Sequence, residues 1–265
     1  MTEQEKLSWL NTNKIKLVIN NDESHQYFHH HAFEIINSNL VLKNLFISSL
    51  SKDINVKTRI KMTKSIESPA IEASDLNNEI RKLLTKINNF EIHLEVEENN
   101  GVFYFSADKS KIAGFDFAIL NTEKNLIALR NLCFGELRYK DGGKRWKKFL
   151  DNNKNNSKIV NIAEQIETIA KDGTNIYLSN DVNNEPLIVG EIQFGNWALA
   201  YRDFFKVLKA DVQNSIDCLI YIVPTGKLEV MLSDGIVTFE KTKKILKDFN
   251  KVISVPVWLI GIDVE

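Results

Sequence analysis

Apolar positions along this chain mark out two kinds of element. "KIKLVIN" (14–20), "CLIYIVP" (218–224) and "VPVWLIGI" (255–262) predict strands, the last two apolar enough to be buried on both faces. Steps of three and four predict helices: "AFEIINSNLVLKNLFISSL" over 32–50, "SDLNNEIRKLLTKI" with Ser74 or Asp75 as its cap, "IVNIAEQIETIA", and the amphipathic "TFEKTKKILKDF" between the last two strands. Trp197, Tyr201, Phe204 and Leu208 fall on one further helical stripe. From about 90 to 140 the pattern predicts short strands, "FEIHLEV", "GVFYFSA", "FDFAIL" and "LIALRNLCFGELRY", joined by turns such as "ENNG". "NIYLSND" and "PLIVGEIQF" flank the turn-forming "VNNE" and predict a hairpin. Two polar, basic stretches separate these elements: "SKDINVKTRIKMTKSIESP", and "KDGGKRWKKFLDNNKNNSK", an exposed loop around a short helix. Buried strands alternating with helices predict an α/β fold, a mixed central sheet covered by helices.

One strand breaks its own pattern. Within "PLIVGEIQF", Val189, Glu191 and Gln193 share one face while Ile188, Ile192 and Phe194 share the other, so a strand otherwise fit for a core carries two polar side chains one pleat apart. Asp181 ends the preceding hairpin strand and would be brought near Glu191 by the turn. Two carboxylates, completed by water and a phosphate, are what Mg²⁺ prefers. With Gln193 aimed into the same cavity, this is the pattern of a metal-dependent nuclease, in which a metal polarises the scissile phosphate. The alternative for Glu191 is a structural ion pair or a hydrogen-bonded core glutamate.

Composition narrows the setting without deciding the chemistry. A chain of 265 residues with 43% hydrophobic residues is long enough to bury a large core. The formal net charge of −1 excludes a globally basic nucleic-acid binder but not a locally basic cleft. Cys133 and Cys218 sit inside apolar runs without CxxC spacing, so they predict buried thiols in a reducing cytoplasm. No apolar run reaches the length of a membrane span, and "MTEQEKLSWLNTNKIK" lacks the pattern of a signal peptide. "HQYFHHH" gathers His25, His29, His30 and His31. A helix would space His25 and His29 for zinc, but no matching Cys or Glu-x-x-His is near, and the cluster reads as the lead-in to the first helix.

"GEIQFGNWALAYRDFFK", "IDCLIYIVP", "MLSDGIVTFEKTKKIL" and "VPVWLIGI" occur in the order of the C-terminal half of the BglII and BstYI type II restriction endonucleases, which this chain resembles over about 180–265. "KIKLVINNDESH" and "ESPAIEASDLNNEIRKLL" echo the same family over about 14–90, and His25 aligns with a histidine near the family's start. The family carries Glu-x-Gln-Phe where most related nucleases of the PD-(D/E)xK superfamily carry Glu-x-Lys. The resemblance implies that fold as a single endonuclease domain over 1–265, with 90–175 an inserted or divergent β-rich subregion. It implies that Asp181 and Glu191 bind Mg²⁺, and that Gln193, at the usual lysine position, orients the attacking water, since an amide cannot act as a base. The gap from Asp181 to Glu191 is one residue longer than the family's, which makes Asp116 in "GFDFAIL" the alternative partner; Asn88, Asn89 or Glu91 would supply a further polar group.

DNA contacts follow from the same comparison. Asn196 matches a base-reading position, and Asn can pair with adenine through two hydrogen bonds. "LSDGI" matches the loop that enters the major groove, giving Ser233 and Asp234 as base contacts, although "SDG" alone is simply a turn. Lysines and arginines of "KTRIKMTK", with Lys144, Arg145, Lys147 and Lys148, would neutralise phosphates or else form a solvated face. The expectation is a type II restriction endonuclease acting as a homodimer on a palindromic, GATC-centred duplex, with a cognate DNA methyltransferase as functional partner. A noncatalytic DNA-binding protein and a structure-specific or repair nuclease are the rivals.

Overall fold

The computed structural model of the chain describes residues 1–96, 114–169, 171–177, 185–212 and 216–265. In order, its elements are α1 (Glu3–Leu10), β1 (Lys14–Val18), β2 (Gln26–His29), α2 (Ala32–Ser38), α3 (Leu40–Leu50), β3 (Asp53–Asn55), β4 (Thr58–Thr63), β5 (Ile66–Ile71) and α4 (Ala73–Leu84). There follow β6 (Ile92–Val96), β7 (Phe115–Ile119), α5 (Thr122–Phe134), α6 (Gly142–Asn153), α7 (Ser157–Ile169) and β8 (Ile188–Ile192). The last are α8 (Ala198–Val212), β9 (Cys218–Pro224), α9 (Gly226–Met231), α10 (Phe239–Asp248) and β10 (Val257–Val264). The chain divides into two compact units, the first made of Met1–Phe90, Gly190–Lys209 and Cys218–Glu265, the second of Glu91–Val189 and Ala210–Asp217.

In the first unit the strands run in the order β3-β1-β10-β9-β8. β10 pairs parallel with β9, from Val257 opposite Leu219 to Ile262 opposite Pro224, and antiparallel with β1 and β2. Strands held in a parallel pair are covered on both faces, which is why these two are apolar throughout. Every residue of β9 is buried, and every residue of β10 except Asp263. Fully buried Trp258 stacks on Phe28 of β2, ring centroids 5.9 Å apart.

A parallel pair needs a crossover, and α9 and α10 supply it. Thr238 caps α10 by accepting a hydrogen bond from the Lys241 N–H at 3.4 Å, a contribution of about 1 kcal/mol. Phe239, Thr242, Ile245 and Leu246 recur at helical steps and form its buried face. Gly261 lets α10 approach β10, because a Cβ there would sit 2.9 Å from the Phe239 ring.

Local chemistry changes several expected elements. The helix expected over 32–50 is two, α2 and α3, because Asn39 leaves the helical conformation and its side chain accepts from the Leu42 N–H at 3.0 Å. α4 starts at Ala73 with Glu72 at its cap position, so Ser74 and Asp75 lie in its first turn. The polar, basic stretch after residue 51 forms a hairpin: β4 and β5 pair antiparallel from Thr58 opposite Ile71 to Thr63 opposite Ile66. Lys64 and Ser65 close this hairpin with φ of 50° and 66°, the left-handed pair that a two-residue turn demands. On α8, the stripe of Trp197, Tyr201 and Leu208 is exposed or half-buried, and the buried face carries Asp203, Phe204, Lys206 and Val207.

In the second unit β6 and β7 pair antiparallel, Ile92 opposite Ile119 and Val96 opposite Phe115. "LIALRNLCFGELRY" is not a strand. Leu126, Leu129 and Cys133 recur at helical spacing, Asn121 caps the Lys124 N–H at 3.0 Å, and the result is α5. α5, α6 and α7 share a core that includes Leu129, Cys133, Trp146, Phe149, Ile159 and Ile166. Both cysteines are buried and neither is in a disulfide, and burial pushes the Cys133 thiol up to about 11. "GVFYFSA" and residues 178–184 of the expected hairpin lie outside the described residues, and Asn175–Tyr177 are irregular. No helix of the described residues is long and apolar enough to cross a membrane.

Candidate active site

The polar face of β8 meets the charged side chains of α8. Glu191 is 5% exposed and its Oε1 forms an ion pair with the ammonium of Lys206. One pleat on, Gln193 Nε2 donates to Asp203 Oδ2 at 2.9 Å. Asp203 and Lys206 are three residues apart on a helix, so they stand one above the other and match the one-pleat spacing of the strand. The shared face of Glu191 and Gln193, legible from strand periodicity, is thus present and buried.

Asp203 is the hub of this cluster. It is fully buried and accepts four hydrogen bonds: Gln193 Nε2 and the Tyr221 hydroxyl (3.1 Å) at Oδ2, and Arg202 Nε (3.3 Å) and Nη2 (3.0 Å) at Oδ1. Burial first, then the charges of Asp203 and Glu191, hold the Tyr221 hydroxyl well above its usual pKa, so it remains a donor. The hydrogen bond to Asp203 likewise raises Arg202. Gln193 itself is fixed at both ends, because its Oε1 accepts from the Gly195 N–H at 3.0 Å. A carboxylate can only accept and a backbone N–H can only donate, so the amide has one possible orientation. Two such contacts leave Gln193 one further N–H and one further lone pair, enough to hold a water but not to deprotonate it.

Sequence reading did not single out Asp203 or Lys206. The signal was present in "ALAYRDFFKVLKA", where both fall on the face that also carries Ala200, Phe204 and Val207; charges inside an apolar stripe call for a buried partner. Glu191 does form the ion pair of the structural alternative. That pairing still leaves Glu191 a hard oxygen donor of the type Mg²⁺ takes from proteins one or two at a time, with phosphate and water as the rest. Among the described residues no three His, Cys, Asp or Glu side chains form a ready metal cage.

Beyond β8 the chain passes directly to the expected base-reading residues. Gly195, Asn196 and Trp197 run beside the loop after α9: Asn196 bridges Ile236, Val237 N–H donates to Gly195 O (2.9 Å) and Trp197 N–H to Gly235 O (3.0 Å). Asn196, Ser233 and Asp234 are all exposed, on two adjacent segments. Asn196 Oδ1 accepts from the Ala198 N–H at 2.9 Å and so shapes the turn into α8. Gly235, with φ of 74°, turns the loop. The β4–β5 hairpin braces it, as Lys61 Nζ donates to Leu232 O (2.5 Å) and lies 3.6 Å from Asp234, while Thr63 Oγ1 donates to Asp234 Oδ2 at 3.4 Å.

The remaining candidates fall elsewhere. Asp181 lies outside the described residues, and Asp116 is half-buried on β7 in the second unit. Asn88 and Asn89 are exposed in the turn after α4. Glu91 belongs to the second unit, where it accepts from the Thr122 N–H (3.0 Å) at the start of α5 and pairs with Lys158. Burial pushes its carboxyl up, but those partners outweigh burial and hold it below its usual value. Lys144, Lys147 and Lys148 are exposed on α6, whereas Arg145 is tied to Asp141 (3.0 Å) and lies over the Tyr139 ring (4.4 Å). The histidines lead into α2, but through strand β2. His29 Nε2 meets Ile253 O at 2.8 Å and His30 Nε2 meets the Asn250 and Ile253 carbonyls, both at 2.9 Å.

A family model described as restriction endonuclease BglII/BglIII matches residues 25–262. Among solved structures, restriction endonuclease BglII complexed with a DNA 16-mer is similar with a TM-score of 0.44 and 12% identity, over 89% of this chain and 76% of that one. No curated protein matches.

Proposed function

Because the chain belongs to the BglII/BglIII restriction endonuclease family, and is therefore a type II site-specific deoxyribonuclease, we propose that it hydrolyses a short palindromic duplex with Mg²⁺ at the cluster of β8 and α8. The observation that carries this reading is the burial of Glu191 and Gln193 side by side against Lys206 and Asp203. Glu191 supplies one carboxylate to the metal, and Asp181 a second, with Asp116 as the alternative. The cation, when bound, supplies Lewis acidity that polarises the scissile phosphate and eases formation of hydroxide. Gln193, held by Asp203 and Gly195, orients the attacking water without taking its proton.

Asn196 with Ser233 and Asp234 reads base edges. A palindrome presents each base pattern twice about a twofold axis, so the enzyme acts as a homodimer with one such set per half-site. The first target is a six-base-pair palindrome centred on GATC. Because the cell's own copies of the site need protection, a cytoplasmic methyltransferase of the same specificity is the functional partner. Digesting unmethylated plasmid with Mg²⁺ and sequencing the ends tests the target directly: ends drawn from GATC-centred sites support it, and ends without GATC refute it while leaving the hydrolytic site standing.

Asn196→Ala should weaken binding to the specific duplex by about 1–3 kcal/mol per half-site and leave random duplex nearly unaffected. Since Asn196 also holds the Ala198 N–H, Asn196→Asp is the control that keeps the turn while changing the base contact. Equal losses on specific and random DNA would show that Asn196 serves the fold or the backbone.

The exposed lysines of α6 are assigned to phosphates. Neutralising Lys144, Lys147 and Lys148 should weaken all sequences alike and reduce the slope of log affinity against log salt by roughly 0.9 per lost contact. Adding Arg145→Gln should change little more, since Arg145 already has internal partners. A salt slope that does not move would make α6 a structural helix.

A further inference from the structure

Glu191 and Lys206 form an ion pair with both side chains 6% exposed. A carboxylate so far from water is stable only beside a compensating cation, and the cost of burying both charges makes such a pair an inefficient way to stabilise a core. Buried, strongly interacting charges gather instead where function needs them. Among the described side chains of the cluster the formal charges cancel, Glu191 and Asp203 against Arg202 and Lys206. Arg202 is 59% exposed and partly screened by solvent, so Lys206 supplies the cation that Glu191 feels most.

We propose that Lys206 is the resident counter-ion of Glu191 and makes metal binding depend on DNA. A divalent cation approaching the free protein meets a carboxylate already paired with the Lys206 ammonium. Once duplex is bound, the scissile phosphate adds negative charge to the same place, and the cation is held by phosphate and Glu191 together. Two ligands that strengthen each other do so by the same factor in both directions, so the metal also tightens the hold on DNA. The free enzyme therefore carries little metal and no assembled hydrolytic site, and the site completes itself on the substrate. Gln193 makes this arrangement workable, because a neutral amide adds no second cation to the pocket. This inference rests on the reading of Glu191 as a metal ligand.

The test is Mn²⁺ binding to the full, DNA-free chain, followed by the paramagnetic resonance of free Mn²⁺ and counted as the binding that disappears with Glu191→Gln. Lys206→Met, which removes the charge but keeps the length, should bind Mn²⁺ about tenfold more tightly or better than wild type. It should also melt lower than wild type in chelator and recover when Mn²⁺ is added. Lys206→Arg, which keeps the charge, should bind as weakly as wild type. If Lys206→Met fails to fold, Lys206→Gln keeps an N–H donor for Glu191 and should show the same tightening. Equal Mn²⁺ affinity in wild type and in the folded neutral variant overturns the inference. The two failures are distinguishable: if Glu191→Gln still cleaves duplex with Mg²⁺, the reading of the site falls, whereas a dead Glu191→Gln beside an unchanged Lys206→Met removes only the role of Lys206.

Discussion

Glu191→Gln should lower the Mg²⁺-dependent rate of duplex cleavage by roughly a thousandfold or more, beyond the 10–100-fold that loss of an outer partner costs a metal site. The substitution keeps the shape of the side chain and an oxygen for Lys206, and removes the charge that a divalent cation needs. Specific duplex binding measured without divalent metal should stay within a few-fold of wild type, because Asn196 and the 232–236 loop are untouched. Lys206 loses the buried carboxylate it pairs with, so the melting temperature should fall as well. Retained specific binding is what separates lost chemistry from lost fold. Wild-type cleavage in this variant would remove Glu191 from the reaction.

Asp203→Ala carries the second large effect, and most of it is on stability. It strips the acceptor from Gln193 Nε2, the Tyr221 hydroxyl, and Arg202 Nε and Nη2 at once. Gln193 and Tyr221 are buried and have little water to turn to, so unfolding should become easier by about 3–5 kcal/mol, read by calorimetry. Arg202 is largely exposed but is the cation beside a fully buried carboxylate, so Arg202→Ala should also lower stability, by less than Asp203→Ala. Whatever folded protein remains should cleave about 10–100-fold more slowly, in kcat more than in KM, because Gln193 loses the contact that orients it. Asp203→Asn, which keeps one acceptor oxygen, should fall between. An Asp203→Ala protein that melts with wild type would show that the cluster does not hold the site together.

Which parts of this architecture were legible in the sequence follows from how each is stabilised. β9, β10 and α10 are specified locally and globally at once: unbroken apolar runs suit strands covered on both faces, and Thr238 caps a helix with a clear buried face. Glu191 and Gln193 were visible as a pair because a strand's period of two leaves no doubt about which residues share a face. Elsewhere a single side chain outweighed the average pattern. Asn39 splits one apolar run into α2 and α3 by offering its own oxygen to the backbone, and Asn121 caps α5, whose apolar run alone reads equally well as a strand. The partners on α8 were hidden for a different reason. Charged residues on helices usually face water, and that expectation outweighs the apolar stripe of Ala200, Phe204 and Val207 on which Asp203 and Lys206 sit.

The central claim is that the metal works at the junction of β8 and α8, and the most direct measurement is to let a metal mark its own position. Fe²⁺ in place of Mg²⁺, with ascorbate and peroxide and with specific duplex bound, produces radicals that cut the peptide backbone close to the metal, and mass spectrometry locates the cuts. The account predicts cuts at Gly190–Phe194 that vanish with Glu191→Gln and are suppressed by excess Mg²⁺. Cuts confined to the histidine-rich segment His25–His31 or to other parts of the chain, with β8 intact, would contradict it.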